Sequence, residues 1–170
     1  MTVNVYVPRD TASISMGADE VATAIANLSE DIKVVRNGTW GMTYLEPLVE
    51  VETENGRVAY GPVRVEDIQS LVEADFLKGG DHLLCHGITQ DIDYLKNQER
   101  LTFERCGLID PLSIDDYQKN GGLVGLKRAL KLSAKEIIDD VTTSGLRGRG
   151  GAAFPTGIKW NTVFEAKANQ

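Results

Sequence analysis

The chain has 170 residues, a formal net charge of −7, 42% hydrophobic residues and a mean hydropathy of −0.20, values typical of a soluble globular protein with one domain or two small ones. Its apolar runs fall short of the roughly 18 to 20 residues that cross a bilayer, and the opening MTVNVYVPRD lacks the pattern of a signal peptide. Its two cysteines, Cys85 and Cys106, form no CxxC pair, which excludes a disulfide framework and thioredoxin-type redox catalysis. We therefore expect a cytoplasmic protein without membrane insertion.

Charge is distributed unevenly along the chain. Residues 1–93 carry 6 Lys or Arg against 16 Asp or Glu, whereas residues 94–170 carry 12 against 9, which gives −10 followed by +3. This change of sign predicts two bodies joined in sequence.

The first body, residues 1–77, has the pattern of a mixed α/β domain. Alternating or β-branched runs predict strands, and apolar residues at helical spacing predict helices. The segment Glu54-Asn55-Gly56 is a hairpin signal, because glycine adopts positive φ at little cost. The elements in order are strand 3–8, helix 17–28, strands 32–35, 45–53 and 57–63, and helix 65–76. This order predicts a small sheet covered by two helices.

Residues 78–111 lack sustained periodicity and end at Pro111, so we expect a connector that docks on the second body. His82, Cys85 and His86 are close enough in sequence to bind a metal ion. Three possible ligands without a fourth in reach are a weak zinc pattern, however, and no metal site is predicted.

The second body, residues 112–170, opens with two helix-start signals. Ser113 precedes a first turn with two carboxylates, and Ser133 and Glu136 have the spacing of a capping box. Helices are expected from residue 113, over 123–130 and over 134–144, the last burying Ile137, Ile138 and Val141 and ending at a left-handed Gly145.

The glycine loop, SGLRGRGGAAFPTGIKW at residues 144–160, follows this helix. Consecutive backbone N–H groups without side chains predict an anion-binding nest, to which Arg147, Arg149 and Lys159 add positive charge. The loop is neither a P-loop nor a Rossmann fingerprint, and one RGG-like copy in an acidic chain does not indicate nucleic-acid binding. From composition alone, a structural glycine turn competes evenly with phosphate binding.

The segment GLRGRGGAAFPTGIKW resembles the FMN- and NADH-binding loop of the flavoprotein subunit of respiratory complex I and of related diaphorase subunits. The diaphorase relatives belong to NAD-linked hydrogenases and NAD-dependent formate dehydrogenases. DPLSIDDYQKNGG followed by GLKRAL is similar to the family's entry segment, so the resemblance spans residues 104–165. It implies that this part of the chain is the helical start of an FMN-binding domain.

The resemblance also implies roles for individual residues of the loop. Gly148, Arg149, Gly150 and Gly151 would line the FMN phosphate and ribityl chain, and Lys159 would contact FMN as well. Phe154 would stack on the NADH side with Ala153 beside it. The common family form has glycine in place of Ala153, and the extra methyl group should narrow the approach to the backbone there.

The first body resembles the thioredoxin-like ferredoxin domain that carries a [2Fe-2S] cluster in a partner subunit of these enzymes. Aligned through Gly17-Ala18 and Gly38-x-x-Gly41, the four cluster ligands fall at positions that hold no cysteine: Pro8, Ser13, Thr39 and Thr43. Because proline has no ligand atom and hydroxyls replace thiolates poorly, we expect a cluster-free domain with a docking role.

A cluster-free thioredoxin-like domain ahead of the loop most resembles the β subunit of an NAD-dependent formate dehydrogenase. The implied partners are a molybdenum or tungsten catalytic subunit and a [2Fe-2S] thioredoxin-like subunit. The family would continue into an acidic flavin-binding segment and the four cysteines of a [4Fe-4S] cluster, so we expect an N-terminal part that is inactive alone. The alternatives are a hydrogenase diaphorase, a complex I flavoprotein subunit and a non-catalytic adaptor.

Overall fold

A computed structural model describes residues 2–166, so residue 1 and residues 167–170 lie outside the described chain. The chain divides between Asn120 and Gly121 into two compact units. The first is called the sheet unit and the second the helical unit. The three-part division predicted from sequence, 1–77, 78–111 and 112–170, stays a prediction.

The sheet unit contains all the strands of the described chain together with its first helices. The strands are β1 (Val3–Tyr6), β2 (Ile32–Val35), β3 (Val49–Thr53), β4 (Gly56–Tyr60) and β5 (Cys85–Ile88). The helices of the sheet unit are α1 (Thr11–Ser15), α2 (Ala18–Ala26), α3 (Ile68–Glu73), α4 (Asp93–Lys96) and α5 (Ile114–Lys119). The helical unit contains α6 (Val124–Ala129), α7 (Ala134–Thr143) and α8 (Thr156–Glu165). None of the helices within residues 2–166 has the length and hydrophobicity that a membrane crossing requires.

The five strands form one mixed sheet in the order β2-β1-β3-β4-β5. Strand β1 pairs with β2 in parallel and with β3 in antiparallel, and α2 connects the parallel pair. The predicted hairpin joins β3 to β4, and its Gly56 has φ +120. A parallel strand–helix–strand unit followed by an antiparallel hairpin and a helix is a thioredoxin-like arrangement, so the predicted α/β fold class is confirmed.

The main core lies between the sheet and its helices. Helix α2 buries Ala18, Val21, Ala22 and Ile25, which share one face at helical spacing. The strands contribute alternating valines, and the Tyr60 ring meets the Phe76 ring edge-on at a centroid distance of 6.0 Å. Sequence periodicity located this core because burial on one face leaves the same spacing in the sequence.

Residues 78–111 contribute a strand and part of a buried cluster to the sheet unit. Strand β5 extends the sheet through β4, and Leu95 joins a second buried cluster around Trp40. Gly107 has φ +82, and a Cβ there would lie 2.2 Å from the Trp40 ring. The segment therefore packs within the sheet unit, which its irregular sequence did not indicate.

Glu50 carries a buried carboxyl group beneath this segment. Its oxygens accept hydrogen bonds from Trp40 Nε1 at 2.9 Å, Asn37 Nδ2 at 3.0 Å and Thr89 Oγ1 at 2.9 Å. The Arg57 guanidinium lies 3.7 Å away. Burial raises the pKa of Glu50 above its usual value of 4.5, although Arg57 and the hydrogen bonds oppose that shift.

Replacing Glu50 with glutamine should change how stability depends on pH. A raised pKa in the folded state means that the stabilisation from the neutral carboxyl is complete below about pH 4.5 and is lost as pH rises through the raised value. The free energy of unfolding of Glu50→Gln minus that of the natural chain should therefore increase as pH rises from about 4.5 through the raised pKa. Above the raised pKa the difference should stay constant. Urea unfolding at several pH values from about 4 to about 8 measures this difference. A constant difference, or one that falls with pH, would contradict the assignment.

Candidate functional site

The glycine loop begins where α7 ends. The predicted capping box at the start of α7 is confirmed, since Ser133 N donates to Glu136 Oε2 at 2.7 Å and Glu136 N donates to Ser133 Oγ at 3.3 Å. At the other end, Gly145 has φ +68, the left-handed turn that the sequence predicted. Both ends of α7 are thus fixed by local sequence signals.

Backbone hydrogen bonds close the loop into a narrow hairpin. Thr156 N donates to Leu146 O at 2.9 Å, and Gly148 N donates to Phe154 O at 2.8 Å. Above these two rungs, Ala153 N donates to Gly150 O at 3.1 Å. Residues 149–153 therefore form a tight turn, called the tip.

The glycines of the loop serve different physical purposes. Gly145 adopts a positive φ. Gly157 lets α8 approach α7 closely, because a Cβ at position 157 would lie 2.2 Å from Thr142 Oγ1 and 2.7 Å from Thr142 Cα. At Gly150 and Gly151 a Cβ would meet nothing within 4 Å, and neither has a positive φ. Within the described residues, therefore, neither packing nor backbone conformation obstructs alanine at position 150 or 151.

The open glycines coincide with free backbone donors. Among the described residues, the N–H groups of Arg149, Gly150 and Gly151 donate no hydrogen bond. An anion such as a phosphate could approach the amides of Gly150 and Gly151 without meeting a Cβ at either position. The predicted nest differs in detail, because a nest alternates right- and left-handed residues and the only positive φ within the tip belongs to Ala153.

The two arginines of the loop are not equivalent. Arg147 Nε donates to Ala153 O at 2.7 Å, so this side chain closes the base of the tip. The Arg149 guanidinium forms no hydrogen bond or ion pair with any other described residue and lies in the tip itself. Arg149 is thus free to bind an anion, while Arg147 shapes the turn.

Ala153 carries backbone strain at the position where the resemblance described above leads us to expect glycine. Its φ is +44, in the left-handed region that L-residues other than glycine avoid. The methyl group of Ala153 therefore belongs to the one tip residue whose backbone conformation favours glycine.

A cavity of about 700 Å³ lies between α7 and α8 within the helical unit. It brings together three of the predicted site residues, Gly148, Phe154 and Lys159, whereas Arg149, Gly150, Gly151 and Ala153 are outside its lining. Lys159 is the one charged residue of a lining that is otherwise mostly apolar. Further lining side chains are Ile137, Ile138, Trp160, Val163 and Phe164.

This cavity suits a flat aromatic group attached to an anion. Phe154 and Trp160 supply half-exposed rings, Lys159 supplies a cation, and Ile138 is buried beneath them. Sequence reasoning missed Trp160 and Phe164. Their i, i+4 spacing on one helix face was the signal that could have identified them.

The histidines considered as metal ligands have other contacts. His82 Nδ1 accepts a hydrogen bond from Leu84 N at 3.1 Å, and His86 Nε2 lies 2.7 Å from Gly61 O. Within residues 2–166, no group of three or more His, Cys, Asp or Glu side chains is arranged to hold a metal ion.

The chain is similar to subunits of oxidoreductases that handle nicotinamide nucleotides, although no family model matches it. It is 52% identical over 75 residues to the NADP-reducing hydrogenase subunit HndC of Solidesulfovibrio fructosivorans, which is 44% of this chain and 15% of that subunit. It is 62% identical over 53 residues to an NADH-quinone oxidoreductase subunit of Aquifex aeolicus, which is 31% of this chain and 12% of that subunit. The corresponding subunit of Escherichia coli K12 is 46% identical over 54 residues, 31% of this chain and 12% of its own. The chain therefore matches only a small part of each relative.

Among solved structures, the chain is similar to a thioredoxin-like [2Fe-2S] ferredoxin from Aquifex aeolicus. One structure aligns with 51% of this chain and 97% of its own at 23% identity and a TM-score of 0.41. Another aligns with 54% of this chain and 96% of its own at 22% identity and a TM-score of 0.44. The thioredoxin-like assignment of the sheet unit depends on its strand order and not on this likeness.

Gly157→Ala should destabilise the helical unit by about 1 to 3 kcal/mol, because the new methyl group would collide with the Thr142 backbone and separate α8 from α7. Chemical unfolding followed by tryptophan fluorescence, with Trp40→Phe in both variants and in the reference chain so that Trp160 alone reports, measures the loss. Gly151→Ala is the matched control, since its Cβ would meet nothing within 4 Å, and it should unfold like the natural chain. Equal stability of the two variants would show that the packing of α8 on α7 does not require the close approach between Gly157 and Thr142.

Ala153→Gly should stabilise the helical unit by up to about 1.5 kcal/mol. Release from the left-handed region gains about 1 to 2 kcal/mol, and the greater freedom of glycine in the unfolded chain returns about 0.5 to 1 kcal/mol of it. Ala152→Gly is the control, because Ala152 has no positive φ and should lose stability instead. Opposite signs in urea unfolding are expected, and a loss in both variants would disprove the strain at Ala153.

Proposed function

We propose that the helical unit provides part of an FMN- and nicotinamide-nucleotide-binding site in the flavoprotein subunit of a cytoplasmic, multi-subunit NAD(P)-linked oxidoreductase. The observation that carries this proposal is the open glycine tip beside the α7–α8 cavity. Gly150 and Gly151 have room for a Cβ within the chain, and their N–H groups are free to bind a ligand. Similarity to subunits that are named for NADH and NADP chemistry supports it.

Each residue group would make a distinct contribution. The amides of Arg149, Gly150 and Gly151 would donate to a phosphate, and the Arg149 guanidinium would add charge-assisted hydrogen bonds. Lys159 would fix a further phosphate or ring oxygen as a point charge, and Phe154 with Ala153 would face the nicotinamide nucleotide. FMN, when bound, supplies exchange between two-electron hydride transfer and one-electron transfer.

The electron donor is the finer part of the proposal. The match to a hydrogenase subunit over 75 residues supports a hydrogen-linked complex, and the matches to NADH-quinone oxidoreductase subunits support a quinone-linked one. A thioredoxin-like domain ahead of the loop supports formate dehydrogenase, whose partners would be a molybdenum or tungsten catalytic subunit and a [2Fe-2S] thioredoxin-like subunit. A [4Fe-4S] cluster would belong to residues other than the described ones.

The test is to purify the protein with its native partners and to measure bound FMN and the reduction of a dye by NADH and by NADPH. Formate and hydrogen are then offered separately as donors. We expect bound FMN, reductase activity and response to one donor. A complex that lacks FMN and reductase activity would favour the docking adaptor and contradict the proposal.

Gly150→Ala should weaken FMN retention in that complex by about tenfold or more, because a methyl group would stand between the phosphate and the tip amides. Gly125→Ala is the matched control, since its Cβ also meets nothing within 4 Å but it lies on α6 outside the loop. FMN released during dialysis is measured by fluorescence. Equal retention in both variants would remove the tip from the flavin site.

A further inference from the structure

Another cavity, of about 530 Å³, lies within the sheet unit between the sheet and residues 108–120. Its floor is the face of the sheet that points away from the main core, since alternate residues of a strand share a face. The strands β1 and β2 contribute Asn4, Tyr6, Lys33 and Val35 to this floor. We call this cavity the cationic cleft.

Positive side chains are concentrated in the cationic cleft. The sheet unit, residues 1–120, carries 10 Lys or Arg against 21 Asp or Glu. Four of those cations line the cleft together with two of the carboxylates. The cations are Arg9, Lys33, Arg36 and Arg57, and the carboxylates are Asp110 and Asp116. A concave region rich in cations within an acidic unit favours an anionic ligand.

Two of the four cations are engaged within the protein. Arg57 Nη2 donates to Leu108 O at 2.9 Å, and its guanidinium also lies near the buried Glu50 carboxyl group described above. Arg36 Nε donates to Val7 O at 3.1 Å, and Arg36 Nη2 pairs with Asp19 at 2.6 Å. These contacts fix the walls of the cleft, so the other two cations are the ones available to a ligand.

Arg9 and Lys33 have free donors in the cleft. The ion pair of Arg9 with Asp110 spans 3.9 Å, which is too long for a hydrogen bond. Lys33 is exposed and forms no hydrogen bond or ion pair with another described residue. Ser113 Oγ accepts from Asp116 N at 3.1 Å, and its hydroxyl hydrogen has no acceptor among the described residues. Two cations and a hydroxyl can thus donate to one ligand.

The carboxylates of the cleft already have donors of their own. Asp110 Oδ1 accepts from Leu112 N at 2.9 Å, and Asp116 Oδ2 accepts from Asp110 N at 3.2 Å. Outside the lining, Glu52 accepts hydrogen bonds from Asn4 Nδ2 and from the Tyr6 hydroxyl. Because Asp110 lies beside Arg9, an incoming anion must compete with a carboxylate there, and a dianion does so better than a single carboxylate.

We propose that the cationic cleft binds a phosphate group, either as inorganic phosphate or as a small phosphate monoester. The Arg9 guanidinium matches two phosphate oxygens with its planar fork, Lys33 adds a point charge, and Ser113 donates its hydroxyl. The volume of the cleft lies within the range of about 300 to 1,000 Å³ that small-molecule sites occupy. This site belongs to the sheet unit and is independent of the flavin site proposed for the helical unit.

Nuclear magnetic resonance of the isotope-labelled full chain, titrated with inorganic phosphate at constant ionic strength, tests the site. We expect saturable shifts of the backbone amide signals of Arg9, Lys33 and residues 109–116, which potassium chloride should not reproduce. Unchanged signals in these residues would overturn the proposal. Shifts confined to residues 149–151 would also overturn it, although they would support the tip of the flavin site.

Arg9→Ala and Lys33→Ala should each weaken phosphate binding about tenfold, the effect of losing one hydrogen bond to a charged group. Lys78→Ala is the matched control, because it removes the same charge from an exposed side chain outside the cleft. It should bind phosphate like the natural chain. An equal loss in all three variants would show that overall charge attracts the anion, which would contradict a specific site.

Asp110→Asn should tighten phosphate binding about threefold, because asparagine keeps an oxygen for Leu112 N and removes the charge beside Arg9. Unchanged or weaker binding would mean that Arg9 serves its pair with Asp110 and not a ligand. Adenosine monophosphate, titrated in parallel and followed through the Lys33 signal, identifies the source. Tighter binding than inorganic phosphate assigns a phosphate monoester, and equal or weaker binding assigns inorganic phosphate.

Discussion

Helix α8 lies directly against α7 because position 157 has no side chain. Thr142, which faces Gly157, is fixed in turn, since its hydroxyl donates to Ile138 O at 2.8 Å. The contact surface therefore cannot yield to a larger residue. Phe154 lies three residues before Gly157 and Lys159 two residues after it, so the same contact places both on the cavity that Ile138 lines from α7. The cavity is thus a consequence of one close approach between two helices.

The hydrogen bonds that shape the glycine loop leave the backbone amides of its tip free. The rung between Gly148 N and Phe154 O, together with the Arg147 hydrogen bond to Ala153 O, fixes the hairpin without using the amides at its tip. In the proposed flavin site, amides that are held in place in advance would lose less entropy on binding. Ala153 accepts strain at the turn, and such strain persists where the surrounding contacts determine the backbone.

Regular patterns made much of the fold predictable. Strands β1 to β4, helix α2 and the capping box of α7 each leave a local signal in the sequence, because periodicity and capping depend on neighbouring residues. Strand β5 left none, since its four residues pair with β4 through backbone groups and carry a glycine. The candidate site, likewise, was predictable from the sequence only in part. The loop glycines were visible in the sequence, but the separate tasks of Arg147 and Arg149, and the meeting of Gly157 with Thr142, depend on distances that the sequence does not contain.

The sheet unit buries two carboxyl groups, Glu46 and Glu50, four residues apart. Burying a carboxyl group costs free energy unless donors surround it, and both are surrounded. Thr39 and Leu48 N donate to Glu46 from nearby in the sequence, whereas Asn37, Trp40 and Thr89 donate to Glu50. Glu50 therefore joins the segment of residues 37–40 to Thr89, because moving either one would leave a buried polar atom without its partner. The sheet unit therefore holds these segments in place with its own side chains.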